Sequence, residues 1–368
     1  TQVIGETIPS GHSDTLALGL RVPTGVCVGM APWNAPVILG VRSIAMALAC
    51  GNTTVMKASE LSPAIHRYIV DAFVEAGFPA GTVNFITHAA SDAPAVVEAL
   101  IAHPAVRRVN FTGSSRVGRI VGELSGRHLK PCLLELGGKA PFIVLKDADL
   151  DEAVAAAAFG AFMHQGQICM STERIIVEEA IAPEFLKRFV AKVQTLKVGD
   201  PTKGQFPIGA CVDAKTVDHV KALIADATAK GAKVLTGGTG SGGAFFDPTV
   251  VDGVTKDMRI YGEESFGPVV GVLHARDADH AVALANDSEY GLSAAVFTQN
   301  INTALDVARR IDSGICHINS ATVQDEAQMP FGGTKASGVG RFGGAAGVAE
   351  FTDLRWVSIA THHRHYPI

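Results

Sequence analysis

None of the six cysteines (Cys27, Cys50, Cys132, Cys169, Cys211 and Cys316) falls in a CxxC or other metal-ligand spacing, so no metal site is expected. A chain of 368 residues needs no disulfide staples, and the pattern reads as that of a reducing, cytoplasmic compartment. Positive charge is not in excess: 31 Lys and Arg against 36 Asp and Glu leave a net charge of -5, with no basic run. That balance excludes a nucleic-acid partner. Residues 22–41 carry no charge and have the length of a membrane span, but Pro23, Pro32 and Pro36 break them into a strand, a turn and a helix start. No membrane is expected to be crossed. The opening TQVIGETIPSGHSD lacks the basic head and apolar core of a signal peptide. Fixed-period repeats and low-complexity segments are also missing, and the Gly-rich SGGAFFDP near Gly240 reads as a surface turn.

What is present is alternation. Short apolar runs such as GVCVGMAP, TTVMKAS, VNFITH, RRVNFTG and PCLLELGG are separated by longer helical patterns, the signature of βαβ units on a parallel sheet. A second series begins near Lys139 with KAPFIVL, then a helix announced by Asp149 and Asp151, and later ERIIVEE, EFLKRFVAKVQTL and ALDVARRIDSGICHIN. The expected fold class is α/β: two doubly wound α/β domains, the first Rossmann-like, plus a small β arm. The boundaries expected are 1–22 for the arm, 23–136 for the first domain, 137–336 for the second, and 337–368 for a C-terminal segment containing a further strand of the arm. GETIPSGHSDTLALGLRVP and AEFTDLRWVSIATHH fit neither half; both read as exposed strands that a partner chain would cover.

Chemistry concentrates in HQGQICMSTER around Cys169. A lone cysteine is usually buried and inert, so its partners decide whether it is a nucleophile. Thirty-four residues earlier, ELGGK presents Glu135 at the end of a strand, either as a general base or as a carboxylate solvated at a sheet edge; Gly137 and Gly138 beside it would let a cofactor ring approach. In APWNAP, Asn34 is either a donor to an oxyanion or a turn former. In FTGS, Ser114 or Ser115 would cap a helix whose first amides can face a pyrophosphate, although the GxGxxG fingerprint is absent. In KASE, Lys57 and Glu60 could hold the ribose hydroxyls of an adenosine or form a plain salt bridge.

With PWN, KASE, FTGS, ELGGK, GQIC, EESFGP and PFGGTKASGVGR in this order, the chain resembles the aldehyde dehydrogenase superfamily over essentially its whole length. The resemblance implies Cys169 as nucleophile, Glu135 as general base, and Asn34 with the Cys169 amide as oxyanion hole. It makes 23–136 the NAD-binding domain (a Rossmann-like cofactor domain), 137–336 the catalytic domain and the β arm, with the strand in 337–368, an oligomerisation element. It implies cofactor contacts from Trp33, Lys57, Glu60, Gly113, Ser114 and Gly118, with Glu264 and Phe266 at the nicotinamide ribose and ring. NAD is the expected cofactor, NADP being possible, and the partners are a small aldehyde and further copies of the chain in a homodimer or homotetramer. Relatives that pass the acyl group to coenzyme A usually lack a glutamate at the position of Glu135, so hydrolysis is expected. Family members usually carry a further segment ahead of the point where this chain starts, which leads us to expect a chain lacking the first helices of the cofactor domain. Phe342 stands where many members have glutamate, and GRFGG, QICMSTERIIVEE and DEAQMPFGG resemble bacterial aromatic aldehyde dehydrogenases, those acting on salicylaldehyde or vanillin above all. The alternatives on the same fold are an acyl hydrolase of activated esters and an inactive structural or binding protein.

Overall fold

The structure, a computed structural model, describes residues 3–240 and 242–368. Thr1 and Gln2 of the expected arm, and Ser241 of the Gly-rich loop, lie outside the described residues. The chain packs as two units. The first runs to Glu135 and takes in Glu326–Phe331 and Val339–Ile368; the second comprises Leu136–Asp325 and Gly332–Gly338.

In the first unit, β1 (Glu6–Ile8) and β2 (Thr15–Pro23) precede a sheet of parallel strands β3 (Val26–Met30), β4 (Thr53–Lys57), β5 (Val83–Ile86), β6 (Val106–Thr112) and β7 (Cys132–Glu135). Their spatial order is β7-β6-β3-β4-β5. In chain order that is 5-4-1-2-3, the dinucleotide-fold arrangement whose crevice opens at the carboxyl ends of the strands where the order reverses, here between β3 and β6. Helices α1 (Pro36–Ala49) and α2 (Pro63–Glu75) bury Ile44, Leu48, Ile69 and Val70 on one face around Met56. Helices α3 (Ala93–Ala102) and α4 (Ser115–Arg127) bury Ile101 and Val121 on the other, against Val28, Val106 and Val109. The period-2 apolar pattern thus faces helices on both sides, as a parallel sheet requires.

The second unit repeats the logic with seven strands. β8 (Ala140–Val144), β9 (Thr172–Glu178), β10 (Lys233–Thr236), β11 (Thr249–Asp252), β12 (Val269–Ala275), β14 (Ser293–Phe297) and β15 (Ile315–Ile318) lie in the order β10-β11-β12-β9-β8-β14-β15, antiparallel only at β10. Alternate residues of one strand go to opposite cores. Phe142, Val144, Ile175 and Val177 meet α5 (Leu150–Phe162) and α6 (Ala182–Gln194), whereas Ile143 and Ile176 meet α7 (Ala214–Ala229), α9 (Ala278–Asn286) and α10 (Ile301–Arg310). A short α8 (Arg259–Gly262) buries Ile260 and Tyr261 just ahead of EESFGP. The two-residue strands β13 (Tyr290–Gly291) and β16 (Thr334–Lys335) pair antiparallel, and β17 (Gly338–Val339) marks the return of the chain to the first unit.

The terminal segments correct the sequence reading. Having no partner in either run of βαβ units, they were expected to wait for another chain; instead β2 pairs along nine residues with β18 (Thr352–Ala360), and β1 adds to the other edge of β2. The first two residues of AEFTDLRWVSIATHH belong to α11 (Gly344–Glu350), so the strand starts at Thr352. A buried amide fixes the base of this sheet. Asn52 Nδ2 donates to the carbonyls of Ala47 (2.9 Å) and Phe351 (2.8 Å), while its Oδ1 accepts from the Gly25 amide (2.9 Å) and the Thr24 hydroxyl (3.0 Å). One side chain thereby satisfies the end of α1, the β2–β3 turn and the entry to β18. No helix among the described residues is long and apolar enough to cross a membrane.

Candidate active site

In the first unit, the residues singled out from the sequence gather at the carboxyl ends of the parallel strands. Register aligns Met30 of β3 with Lys57 of β4 and Phe111 of β6, and Thr112 of β6 with Glu135 of β7. Trp33 and Asn34 follow β3 directly, and Asn34 is buried ahead of α1, which starts at Pro36. Glu135 is 1% exposed at the end of β7, and its carbonyl accepts from the Gly113 amide at 3.0 Å. It is therefore not a carboxylate solvated at a sheet edge.

Ser114 is the residue that caps α4, its hydroxyl accepting from the Val117 amide, and the buried Gly118 closes the first turn on the Ser114 carbonyl at 2.9 Å. A Cβ on Gly113 would sit 2.5 Å from the Phe111 ring, so only glycine lets this strand-to-helix turn fold so tightly. Lys57 and Glu60 do form the ion pair that was one reading of KASE, at 2.6 Å, but Lys57 is buried, so the pair is not a loose surface contact. Burial alone would raise Glu60; hydrogen bonds from Lys57 and its own backbone, with the charges of Lys57 and His88, outweigh it and hold the carboxyl below its ordinary value. His88, whose Nε2 stands 3.2 Å from the same Glu60 oxygen, escaped the sequence reading because it lies one loop away, after β5.

In the second unit, the segment carrying Cys169 leaves α5 through a 3₁₀ turn, Met163–Gly166, in which His164, Gln165 and Gly166 have φ of 52°, 59° and 69°. Two successive non-glycine residues in the left-handed region are costly and persist only where packing holds them, a feature of functional sites. Gly166 lies so close to the Gly267 carbonyl that a Cβ would be 2.3 Å from it, which presses the cysteine segment against EESFGP. Burial raises the thiols of Cys27 and Cys50, and those of Cys132, Cys211 and Cys316, the last three to about 11. Such thiols are poor nucleophiles near neutral pH. Cys169 is the remaining cysteine, half-buried.

Gly137 and Gly138 are also required by the chain's own packing. A Cβ on Gly138 would be 2.3 Å from the Cys169 carbonyl, and one on Gly137 would be 2.6 Å from the Glu264 carboxylate, which accepts from the Gly138 amide at 2.8 Å. Ser337 secures the same stretch from behind: its hydroxyl donates to the Gly137 carbonyl (2.7 Å) and accepts from the Gly291 amide (2.9 Å). Phe266 has φ of 44°.

The residue that locks this arrangement is Glu173, four positions past Cys169 and unnoticed in the sequence. Its buried carboxylate pairs with Lys139 (2.5 Å) and accepts from the amides of Ser265 (2.9 Å) and Phe266 (3.0 Å), while Lys139 also donates to the Ser265 hydroxyl (3.1 Å). The segments of ELGGK, STER and EESFGP are joined at one carboxylate. Burial is the largest influence on Lys139 and lowers its pKa, and the adjacent Glu173 opposes it.

The motif order is also that of a known family, whose profile, the aldehyde dehydrogenase family, matches residues 1–357. The chain belongs to the aldehyde dehydrogenase family. Vanillin dehydrogenase of Pseudomonas fluorescens is 59% identical over all 368 residues, which span 76% of that protein. The crystal structure of a salicylaldehyde dehydrogenase from Pseudomonas putida G7 complexed with salicylaldehyde is 49% identical and superposes with a TM-score of 0.97 over 100% of this chain and 76% of its own. Benzaldehyde dehydrogenase [NAD(+)] of Pseudomonas putida is 40% identical over 366 residues, 99% of this chain and 74% of that one. This aldehyde dehydrogenase is accordingly an NAD(P)-dependent oxidoreductase, and its two parallel sheets with a small antiparallel sheet are the family fold.

The Glu173 junction makes a direct prediction. Glu173→Ala would strand the Lys139 ammonium in the interior, and breaking a buried pair in this way costs about 3–5 kcal/mol. Urea unfolding should give a midpoint well below that of the parent; an unchanged midpoint would show that the pair does not hold these segments.

Proposed function

We propose that this aldehyde dehydrogenase oxidises aromatic aldehydes, of the salicylaldehyde and vanillin kind, to carboxylic acids with NAD, through a thioester on Cys169. The observation that carries the substrate class is the pair of relatives, a vanillin dehydrogenase at 59% identity and a salicylaldehyde dehydrogenase at 49%. A flat ring also gains more than a short aliphatic chain from an apolar enclosure. The preference for NAD rests on the NAD-dependent benzaldehyde dehydrogenase among the relatives and on Glu60, whose carboxylate suits ribose hydroxyls and would repel a 2′-phosphate.

The first unit fits a dinucleotide. The strand order reverses between β3 and β6, whose carboxyl ends lead into Trp33 and into Gly113 and Ser114, with α4 offering its N-terminal amides to a pyrophosphate. We assign 23–136 to cofactor binding and 137–336 to catalysis. Lys57 and Glu60 hold the adenosine ribose, Trp33, Gly113, Ser114 and Gly118 shape the turn beside the diphosphate, and Glu264 and Phe266 orient the nicotinamide end. When bound, NAD accepts the hydride. The Cys169 thiolate adds to the aldehyde carbon, Asn34 and the Cys169 amide donate to the oxyanion, and loss of hydride from the thiohemiacetal leaves a thioester. Glu135 then takes a proton from water, which attacks the acyl carbon and expels the thiolate.

We also assign the β1-β2-β18 sheet to a homo-oligomer, a dimer by preference. The sheet leaves Leu354, Trp356 (76% exposed) and Ile359 of β18 uncovered, together with Leu16 and Leu20 of β2. The register puts Leu16, Leu20 and Ile359 on one face and Leu354 and Trp356 on the other, and exposed large apolar side chains on both faces of a sheet mark it as an association element. Light scattering at micromolar concentration should return at least twice the chain mass; a monomer would remove the assignment.

Initial rates of NADH formation over a series of aldehydes test the substrate class. Salicylaldehyde, vanillin and benzaldehyde should exceed acetaldehyde in kcat/KM, and the reverse order would overturn the proposal. Ester hydrolysis without any NADH would identify an acyl hydrolase instead. Rapid mixing separates the two chemical halves. Glu135→Gln should release one equivalent of NADH per site and then slow by about a hundredfold to ten-thousandfold, because an amide cannot take the proton of water. Cys169→Ala should show neither burst nor turnover. Parent-rate turnover by Glu135→Gln would sink its assignment as the base.

A further inference from the structure

A histidine that no part of the proposed chemistry uses lies beneath the KASE turn. His66, in the first turn of α2, is fully buried, and its Nδ1 accepts a hydrogen bond of 3.1 Å from the Ser59 backbone amide. An amide can only donate, so Nδ1 carries no proton and the imidazole is the neutral tautomer with its hydrogen on Nε2. Nε2 is sealed from solvent without a well-formed hydrogen bond, and the carbonyl that acts on the ring is that of Pro36, the first residue of α1. Gly40 of α1 makes room for the ring: a Cβ there would be 3.1 Å from His66 Cδ2.

The turn depends on this bond. Between Lys57 and α2 the chain makes few others: the Ala58 amide donates to the Ile86 carbonyl, the Ser62 amide to the Ser59 carbonyl (3.3 Å), and the Leu61 amide to the Ser59 hydroxyl (3.2 Å). Glu60, which meets Lys57 at 2.6 Å, is the residue next to the one His66 holds. We propose that His66 is a positioning residue for the cofactor: its neutral imidazole fixes the Ser59 amide, and thereby the placement of Glu60 against Lys57, while protonation of Nδ1 abolishes the acceptor and releases the turn. The inference rests on the assignment of Lys57 and Glu60 to the adenosine ribose.

The surroundings oppose protonation. Burial is the largest influence and lowers His66, the Pro36 carbonyl works against it, and the Lys57 ammonium is the charged group that pushes it lower still. From α1 the ring meets Gly40 and the Pro36 carbonyl, neither ionisable; Glu60 is engaged by Lys57, and His88 approaches Glu60. Since the folded value lies below that of an unfolded histidine, the stabilisation is complete above about pH 6.5 and is lost as the pH falls through that value towards the folded one. Cofactor affinity should fall as the folded protein itself takes up the proton, at the acid end of that window and below it.

The test compares His66→Asn, whose Oδ1 accepts where Nδ1 did but does not titrate, with His66→Leu, which has no acceptor. The readouts are calorimetric Kd for NAD and apo-enzyme Tm at pH 7.5 and pH 5.5. The parent should bind NAD about fivefold more weakly at the lower pH. His66→Asn should match the parent at pH 7.5 within about twofold, keep that affinity at pH 5.5, and lose less Tm on acidification. His66→Leu should bind about five- to tenfold more weakly at both values, as expected for one lost buried acceptor, with kcat at saturating NAD within about twofold of the parent. An acid-dependent Kd in His66→Asn equal to the parent's would overturn the proposal, as would parent affinity in a folded His66→Leu. If His66→Leu fails to fold, the His66→Asn comparison alone decides. Failure of the underlying ribose assignment reads differently: Glu60→Ala would then bind NAD as the parent does.

Discussion

A carboxylate taken out of water must be answered by donors, and Glu173 is answered by an ammonium and two backbone amides. Desolvating such a group costs several kcal/mol, so the interior tolerates it only with these partners in place. The constraint propagates through the second unit. Because the amides of Ser265 and Phe266 are engaged, EESFGP cannot shift along the sheet, and Phe266 is kept in a left-handed conformation. Because Glu264 precedes them, its carboxylate reaches the Gly138 amide, and the space a side chain on Gly137 or Gly138 would need is already occupied. Cys169 enters the same junction through its carbonyl. Backbone crowding thus fixes the Cys169 segment against Gly138, and the Glu264 carboxylate crowds Gly137, which explains why two adjacent glycines are needed.

The two units use different means to similar ends. In the first, the strand order itself brings Trp33, Lys57, Gly113 and Glu135 to one rim, since each ends or follows a parallel strand. Parallel pairing aligns carboxyl ends without any side chain having to find another. In the second, the important groups sit on loops from distant parts of the chain, and a buried ion pair gathers them. Arg174 shows the same economy of polar burial: its guanidinium donates to the carbonyls of Leu284 (2.9 Å), Ala285 (2.8 Å) and Asp287 (3.3 Å), closing the C-terminal end of α9 with a charge of the favourable sign.

The sequence disclosed the features that depend on local periodicity. Apolar alternation marked the strands of both sheets, Asp149 proved to be a helix cap accepting from the Asp151 and Glu152 amides, and Ser114 capped α4. The motif blocks carried the family. Illegible were interactions that only the folded chain brings together. Glu173 reads as one more charge in STER until β9 places it beside Lys139 and under Ser265, ninety-two residues on. His66 reads as one polar position in a helix until its ring is seen turned back on Ser59. The mutual pairing of the terminal strands escaped the sequence for the same reason, because edge pairing between segments more than three hundred residues apart leaves no mark in either segment.

That pairing of β2 with β18 sets a timetable for the chain. Thr15–Pro23 leaves the ribosome more than three hundred residues ahead of Thr352–Ala360. Throughout synthesis the early strand therefore has β1 on one edge and a bare row of peptide groups on the other, the condition that invites pairing with a neighbouring nascent chain. The entropic cost of closing so long a loop grows only logarithmically with length, so the ladder can form readily once the intervening chain has folded. Asn52, just past the end of α1, already carries the amide that will meet the Phe351 carbonyl. The receptor for the closing strand is therefore synthesised some three hundred residues ahead of the strand it receives.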